Sequence, residues 1–130
     1  MRVLFLDDAE SRHNYFRGQS IGHSVDHVWT AAEAIEALNT REPYDVACLD
    51  HDLEAAHYPG MAEAGIVATT PTGQAVADHI ASMPEEKRPR RVIVHSFNPA
   101  GAVSMERALR GALRDGVLRI PFGQFSLGRD

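Results

Sequence analysis

The stretch Tyr44-Asp45-Val46-Ala47-Cys48-Leu49-Asp50-His51-Asp52-Leu53 decides the fold. Its first part, Tyr44–Leu49, reads as a short apolar strand covered on both faces, and it stops abruptly on Asp-His-Asp. The same shape occurs twice more. Arg2–Leu6 is a continuous apolar run that stops on Asp7-Asp8, and Arg91–Val94 runs into His95-Ser96-Phe97-Asn98-Pro99. Ser24–Trp29 is a weaker second strand and Val117–Ile120 a fifth.

Helical signals fill the gaps between these runs. A short helix is expected over Glu10–Arg17, ended by Gly18. Thr30-Ala31-Ala32-Glu33 matches a capping box, which starts a helix running to Asn39 with Ala31, Ala34, Ile35 and Leu38 on its apolar face. Thr72 caps a helix over Gly73–Met83. Asn98 as N-cap with Pro99 behind it starts another, which carries Val103, Met105, Leu109, Ala112 and Leu113 and is ended by Asp115-Gly116. Alternating strands and helices demand a parallel sheet with right-handed crossovers. The expected fold is therefore α/β: three layers, a five-stranded parallel sheet, flavodoxin-like. Phe122–Asp130 is too short and Gly-rich for a fifth helix.

At 130 residues the chain, 44% hydrophobic and 24% charged, suits one domain with a real core. No apolar run approaches the roughly 18 residues of a membrane helix, and the N-terminal run ends in two acids, so it reads as a strand and not a signal peptide. The single cysteine, Cys48, sits in an apolar segment, which excludes a disulfide framework and a Cys-based zinc site. We expect a cytoplasmic protein. The net charge of −5 argues against a broad nucleic-acid-binding surface. It leaves room for a small anionic or nucleotide phosphate ligand, because a bound divalent metal reverses the local field.

In open parallel sheets, ligands bind outside the carboxyl ends of the strands. Three strands here deliver ionisable groups to that one edge. Asp7, Asp8 and Asp50 would bring three carboxylates together, and like charges that close need a cation or a proton between them. Oxygen ligands favour Mg²⁺ or Mn²⁺. His51 and His95 can exchange protons near neutral pH. Arg12, at the start of the first helix, can grip a phosphate bidentately. With its half-exposed neighbour His13, and with Asn98 and Thr72 at helix starts, it completes the candidate substrate-binding set. His23, His27, His57 and His79 lack companions in sequence and read as surface or packing residues. The Glu54–Pro71 segment leaves directly from Asp-His-Asp and is a candidate lid over the site.

Asp7-Asp8 after strand one, Asp50 after strand three and Ser96 after strand four resemble the receiver domains of bacterial two-component signalling. That resemblance implies Mg²⁺ on the paired acids, a phosphoryl group accepted by Asp50, a Ser96 contact to it, and the backbone carbonyl of Asp52 as a further metal ligand. Two departures stand out. Ile120 precedes Pro121 where receivers carry a Lys, and the fifth helix is missing. Arg12 could replace the missing cation.

A closer resemblance spans nearly the whole chain. Leu6-Asp7-Asp8 with Arg12-His13, then Leu49–Leu53, His95–Pro99 and Pro121-Phe122 are similar to the cyclic-phosphate-processing receiver-like domains. It implies a metal-dependent phosphoesterase acting on a 2′,3′-cyclic RNA end or a small cyclic nucleotide, with Asp50, His51, His95 and Ser96 catalytic and Asp7, Asp8, Asp50 and Asp52 at the metal. The alternatives are a divergent receiver phosphorylated at Asp50 and a non-catalytic nucleotide- or partner-binding module. Without a fifth helix, one sheet face needs cover. Either Phe122, Phe125 and Leu127 fold back over it or a second subunit does, and we expect a homodimer through that region.

Overall fold

A computed structural model describes residues 1–61, 63–124 and 127. Five strands, β1 (Arg2–Leu6), β2 (Ser24–Val28), β3 (Val46–Leu49), β4 (Arg91–Val94) and β5 (Val117–Arg119), form one parallel sheet in the order β2-β1-β3-β4-β5. Four α-helices connect them: α1 (Glu10–Gln19), α2 (Ala31–Thr40), α3 (Gly73–Ser82) and α4 (Pro99–Leu109). Among the described residues no helix follows β5, in line with the expected loss of the fifth.

Side-chain alternation along the strands sorts the core into two layers. Leu4, Leu6, Ala47, Leu49, Val92 and Val94 face α2, α3 and α4. Val3, Phe5, Val46, Cys48 and Ile93 face the other way, against Phe16 of α1. Ile120, Phe122 and Leu127 pack on this second layer, so the chain's own C-terminal segment covers part of the space a fifth helix would fill. Phe125 lies outside the described residues.

Register places the site. Leu6 pairs with Leu49, and Leu49 with Val94. The residues that follow, Asp7, Asp50 and His95, therefore leave three neighbouring strands side by side. They continue the alternation of Phe5, Cys48 and Ile93, so their side chains fall on the α1 side of the sheet edge.

Several boundaries differ from expectation. Helix α1 runs through Gly18 and stops at Gln19, because a Cβ at Gly18 would meet nothing within 4 Å and its backbone has no need of the left-handed region. The chain turns at Ser20, whose hydroxyl donates to Phe16 O, and at Gly22, with φ of +92°. Strand β3 starts at Val46, not Tyr44. Tyr44 is buried and its hydroxyl donates to Asp26, while Asp45 accepts from the Arg2 amide. Helix α4 ends at Leu109, before Ala112 and Leu113, because Gly111 takes φ of +77° and ends it ahead of Gly116. β2 and β5 each stop one residue early, and α3 ends at Ser82. The capping box is present: Glu33 N donates to Thr30 Oγ1, and Thr30 N donates to the Glu33 carboxylate.

Candidate functional site

The three carboxylates converge. Oxygens of Asp7, Asp8 and Asp50 lie within 4.8 Å of one another, with Asp7 and Asp50 buried. The Asp7 carboxylate accepts from Ala9 N at the entrance to α1, and that of Asp50 accepts from His51 N. Arg12, one turn into α1, sends its guanidinium among them. Its Nε donates to Asp7 Oδ2 at 2.7 Å, and a terminal nitrogen is 3.2 Å from Asp8 and 3.5 Å from Asp50.

Electrostatics follow from this crowding. Burial, with the charges of Asp7 and Asp8 adding to it, pushes the Asp50 carboxyl up to about 7, against the pull of Arg12. Burial and Asp7 also raise Asp8. Burial alone would lower the pKa of Arg12, but the hydrogen bond and charge of Asp7 outweigh it and hold the guanidinium protonated. One internal cation thus leaves the acids under-neutralised. Three hard oxygen donors in reach of one point are the donor set of Mg²⁺ or Mn²⁺, so the residues present fit such an ion.

A second cluster lies beside the first. His51 Nδ1 donates to Asp52 Oδ1 at 2.7 Å, and Asn98 Nδ2 donates to the same oxygen at 3.2 Å. Asn98 Oδ1 accepts from Gly101 N, capping α4, and Asn98 N donates to Ser96 Oγ. The Asp52 carboxylate therefore faces His51 and Asn98 and not the other three acids. A cavity of about 90 Å³ joins the two clusters, lined by Arg12, Asp50, Asp52, Ser96, Phe97 and Asn98, with Tyr58 and Pro59 closing it from the Glu54–Pro71 loop.

That loop is tied shut. Glu54 accepts from Thr69 N, Thr69 Oγ1 and Thr70 N, and this holds its carboxyl down to about 2. His57 accepts from Leu53 N at Nδ1 and donates to Thr70 O at 2.7 Å from Nε2. The closed loop brings the Tyr58 hydroxyl to 3.2 Å from Asp8.

Of the expected site residues, Asp7, Asp8, His13, His51, Thr72 and His95 do not line the cavity. His95 is 1% exposed, stacked on Phe5 with ring centres 5.2 Å apart, and its Nδ1 is 3.7 Å from Asp7 Oδ2. Burial drives its ring down to about 4, so it is neutral. His13 is not half exposed but fully buried. Its Nε2 donates to Asp7 O at 2.8 Å, its Nδ1 is 2.7 Å from His27 Nδ1, and its ring stacks on Trp29. It holds the end of β1 from behind. Thr72 caps α3 by accepting from Gln74 N, away from the cavity lining.

Sequence reading missed Tyr58, Gly73 and Gly101, while His57, read as a surface or packing residue, is a packing residue that ties the loop. A Cβ on Gly73 would sit 1.9 Å from Asp50 O, and one on Gly101 would sit 2.5 Å from the His51 ring. Glycine in the first turn of a helix that starts at the polar strand-end edge was the available signal for both. A larger cavity of about 580 Å³ lies at the opposite edge, lined by Pro43, Tyr44, Glu86, Arg88 and Arg90 among others. There the Arg88 guanidinium is spent on the carbonyls of Met83, Ala81 and Ala112.

Solved receiver domains superimpose on this fold. NtrX from Brucella abortus superimposes with a TM-score of 0.62 at 23% identity, over 96% of this chain and 24% of its own, so the chain spans about a quarter of that protein's length. A CheY-like response regulator receiver domain from Methylobacillus flagellatus gives 0.58 at 19% identity, over 92% of this chain and 85% of its own. A response regulator from Burkholderia pseudomallei, solved with a phosphorylated aspartic acid, calcium ion and citrate, gives 0.60 at 19%, over 91% of this chain and 58% of its own. No curated protein matches the chain. Residues 2–111 match the model of the cyclic-phosphate processing receiver domain, and the chain belongs to that family.

Proposed function

We propose that this receiver-fold domain is a metal-dependent phosphoesterase that opens a cyclic phosphate. The observation that supports the reading is a cavity lined by Arg12, Asp50, Asp52 and Ser96, in which Asp50 belongs to the cluster of three acids and Asp52 is paired with His51. Asp7, Asp8 and Asp50 would hold the ion, with the backbone carbonyl of Asp52 as the further ligand implied by the family pattern. A bound divalent ion supplies charge neutralisation and activation of water.

The chain's own groups do the rest. Arg12 offers its guanidinium to phosphoryl oxygens. Ser96, whose oxygen accepts from Asn98 N, has its own proton to donate to the ligand. His51, oriented through Nδ1 by Asp52, exchanges a proton at Nε2, at the attacking water or at the leaving oxygen. His95 is enclosed behind Asp7 and supports that carboxylate. Tyr58 and Pro59 line the cavity from the loop side. The proposal includes a cytoplasmic setting and a homodimer through the α1-side face.

A panel of 2′,3′-cyclic, 3′,5′-cyclic and cyclic oligonucleotide phosphates, incubated with Mg²⁺ or Mn²⁺ and with EDTA, tests it by chromatography of the products. Cleavage that needs metal and is lost in Asp50→Ala is the expected outcome. The fold shared with a Burkholderia regulator solved with a phosphorylated aspartic acid, together with the Asp50 cluster here, supports a second reading, phosphoryl transfer to Asp50. A stable phosphoryl mass gain on Asp50 from acetyl phosphate, with no turnover of the panel, would establish that reading instead.

A further inference from the structure

Phe97 is 66% exposed, although it sits between two buried or tethered neighbours. Ser96 is buried, and Asn98 is fixed three ways: its amide donates to Ser96 Oγ, its Oδ1 accepts from Gly101 N, and its Nδ2 donates to Asp52. The backbone therefore presents the Phe97 ring to solvent from a rigid turn. A single exposed apolar residue on a surface carries no message. This one lines the cavity that holds Arg12 and Asp50.

The size of the cavity says what can enter it. Its 90 Å³ is room for about three water-sized groups, the scale of one phosphoryl group. It is well below the roughly 300 Å³ at which pockets begin to enclose an organic ligand. Whatever is attached to the phosphate must lie outside, across the rim, and the rim carries Phe97 and Pro59. An exposed aromatic face at the mouth of a phosphate-sized cavity is a platform on which a base stacks, and stacking is tolerant of base identity. It also needs no broadly positive surface, which suits a chain of net charge −5.

We propose that Phe97 is the specificity residue of this site: it stacks the base of a nucleotide whose phosphate occupies the Arg12 cavity, so the ligand class is a nucleoside phosphate and not a base-free phosphate ester. This rests on the phosphate reading above, and the test separates the two.

Isothermal titration with Mg²⁺ present compares adenosine 3′-monophosphate with ribose 5-phosphate, on the full chain and on Phe97→Ala and Phe97→Tyr. The intact protein is expected to prefer the nucleotide by about ten-fold. Phe97→Ala loses that margin and keeps its affinity for ribose 5-phosphate, while Phe97→Tyr retains both. Equal affinity of the intact protein for both probes, or a margin that survives Phe97→Ala, overturns the inference and leaves phosphate binding standing. Binding of neither probe overturns both. A dimer that Phe97→Ala dissociates, with the nucleotide margin intact, assigns the ring to contact between copies and likewise overturns it.

Discussion

Arg12 Nε donates to Asp7 Oδ2 across 2.7 Å, and the same guanidinium reaches Asp8 and Asp50. One arginine thus occupies the space between three carboxylates where a divalent ion would sit. Under the proposed function a metal would compete with the guanidinium for the same oxygens, and Arg12 turned outward would be free to grip phosphate.

Arg12→Gln should therefore move two affinities in opposite directions. Removing the internal cation is expected to tighten Mn²⁺ binding about ten-fold, or about 1.4 kcal/mol, in a calorimetric titration. Nucleotide binding is expected to weaken by a similar factor. If metal and nucleotide affinity fall together, Arg12 is part of the metal site's support and not its competitor.

Gly73 and Gly101 give a packing prediction with an unusual sign. Gly→Ala inside a helix ordinarily gains about 0.5–1 kcal/mol. Here a Cβ would strike the Asp50 backbone in one case and the His51 ring in the other. Gly101→Ala is expected to cost about 1–3 kcal/mol by urea unfolding as the ring moves. Gly73→Ala should cost more, since a carbonyl fixed in the β3 turn has less freedom than a side chain. A gain in stability from either would show that the Asp50-His51 turn is not packed as described.

Much of this edge was legible in sequence because it depends on local pattern. Apolar runs ending on acids located β1, β3 and β4, and counting from Leu6, Leu49 and Val94 set Asp7, Asp50 and His95 level. Thr30, Glu33 and Asn98 declared their helix starts. The remainder depends on contacts distant in sequence. His13 is buried by Trp29 and His27 from the end of β2, and Tyr58 meets Asp8 fifty residues away. No periodicity within α1 reports the first, and nothing in a Gly- and Ala-rich loop reports the second. Gly18 misled because a glycine with a helical φ leaves no trace in its neighbours.

The loop closure is separable from the fold. Glu54→Ala removes the acceptor for Thr69 and Thr70, and His57→Ala removes the bridge from Leu53 to Thr70. Each is expected to leave the far-ultraviolet spectrum unchanged and to speed proteolysis within residues 59–68 several-fold. Unchanged cleavage rates would mean that other contacts hold the loop.

Stability should respond to pH in two opposed ways in EDTA. Burial holds His95 neutral, its ring lowered from 6.5 to about 4, so the folded state loses stability as pH falls from about 6.5 toward 4. Asp50 is raised from 3.8 to about 7, so its contribution is present at low pH and lost as pH rises toward 7. Unfolding free energies from urea melts across this range are expected to lose up to about 1.4 kcal/mol per pH unit of acid sensitivity in His95→Asn. The two slopes largely offset each other in the intact protein, so Asp50→Asn should uncover a rise in stability between about pH 4 and 6.5. A pH profile unchanged by both substitutions would contradict the buried, crowded setting of these groups.

The most direct test follows adenosine 2′,3′-cyclic phosphate by ³¹P NMR in the presence of the protein and Mg²⁺, before and after EDTA. The expected result is conversion of the cyclic signal to one phosphomonoester, stopped by EDTA and absent in Asp50→Ala. A cyclic signal that persists with metal bound, or that decays at the same rate in Asp50→Ala, would contradict a phosphoesterase built on this acidic edge.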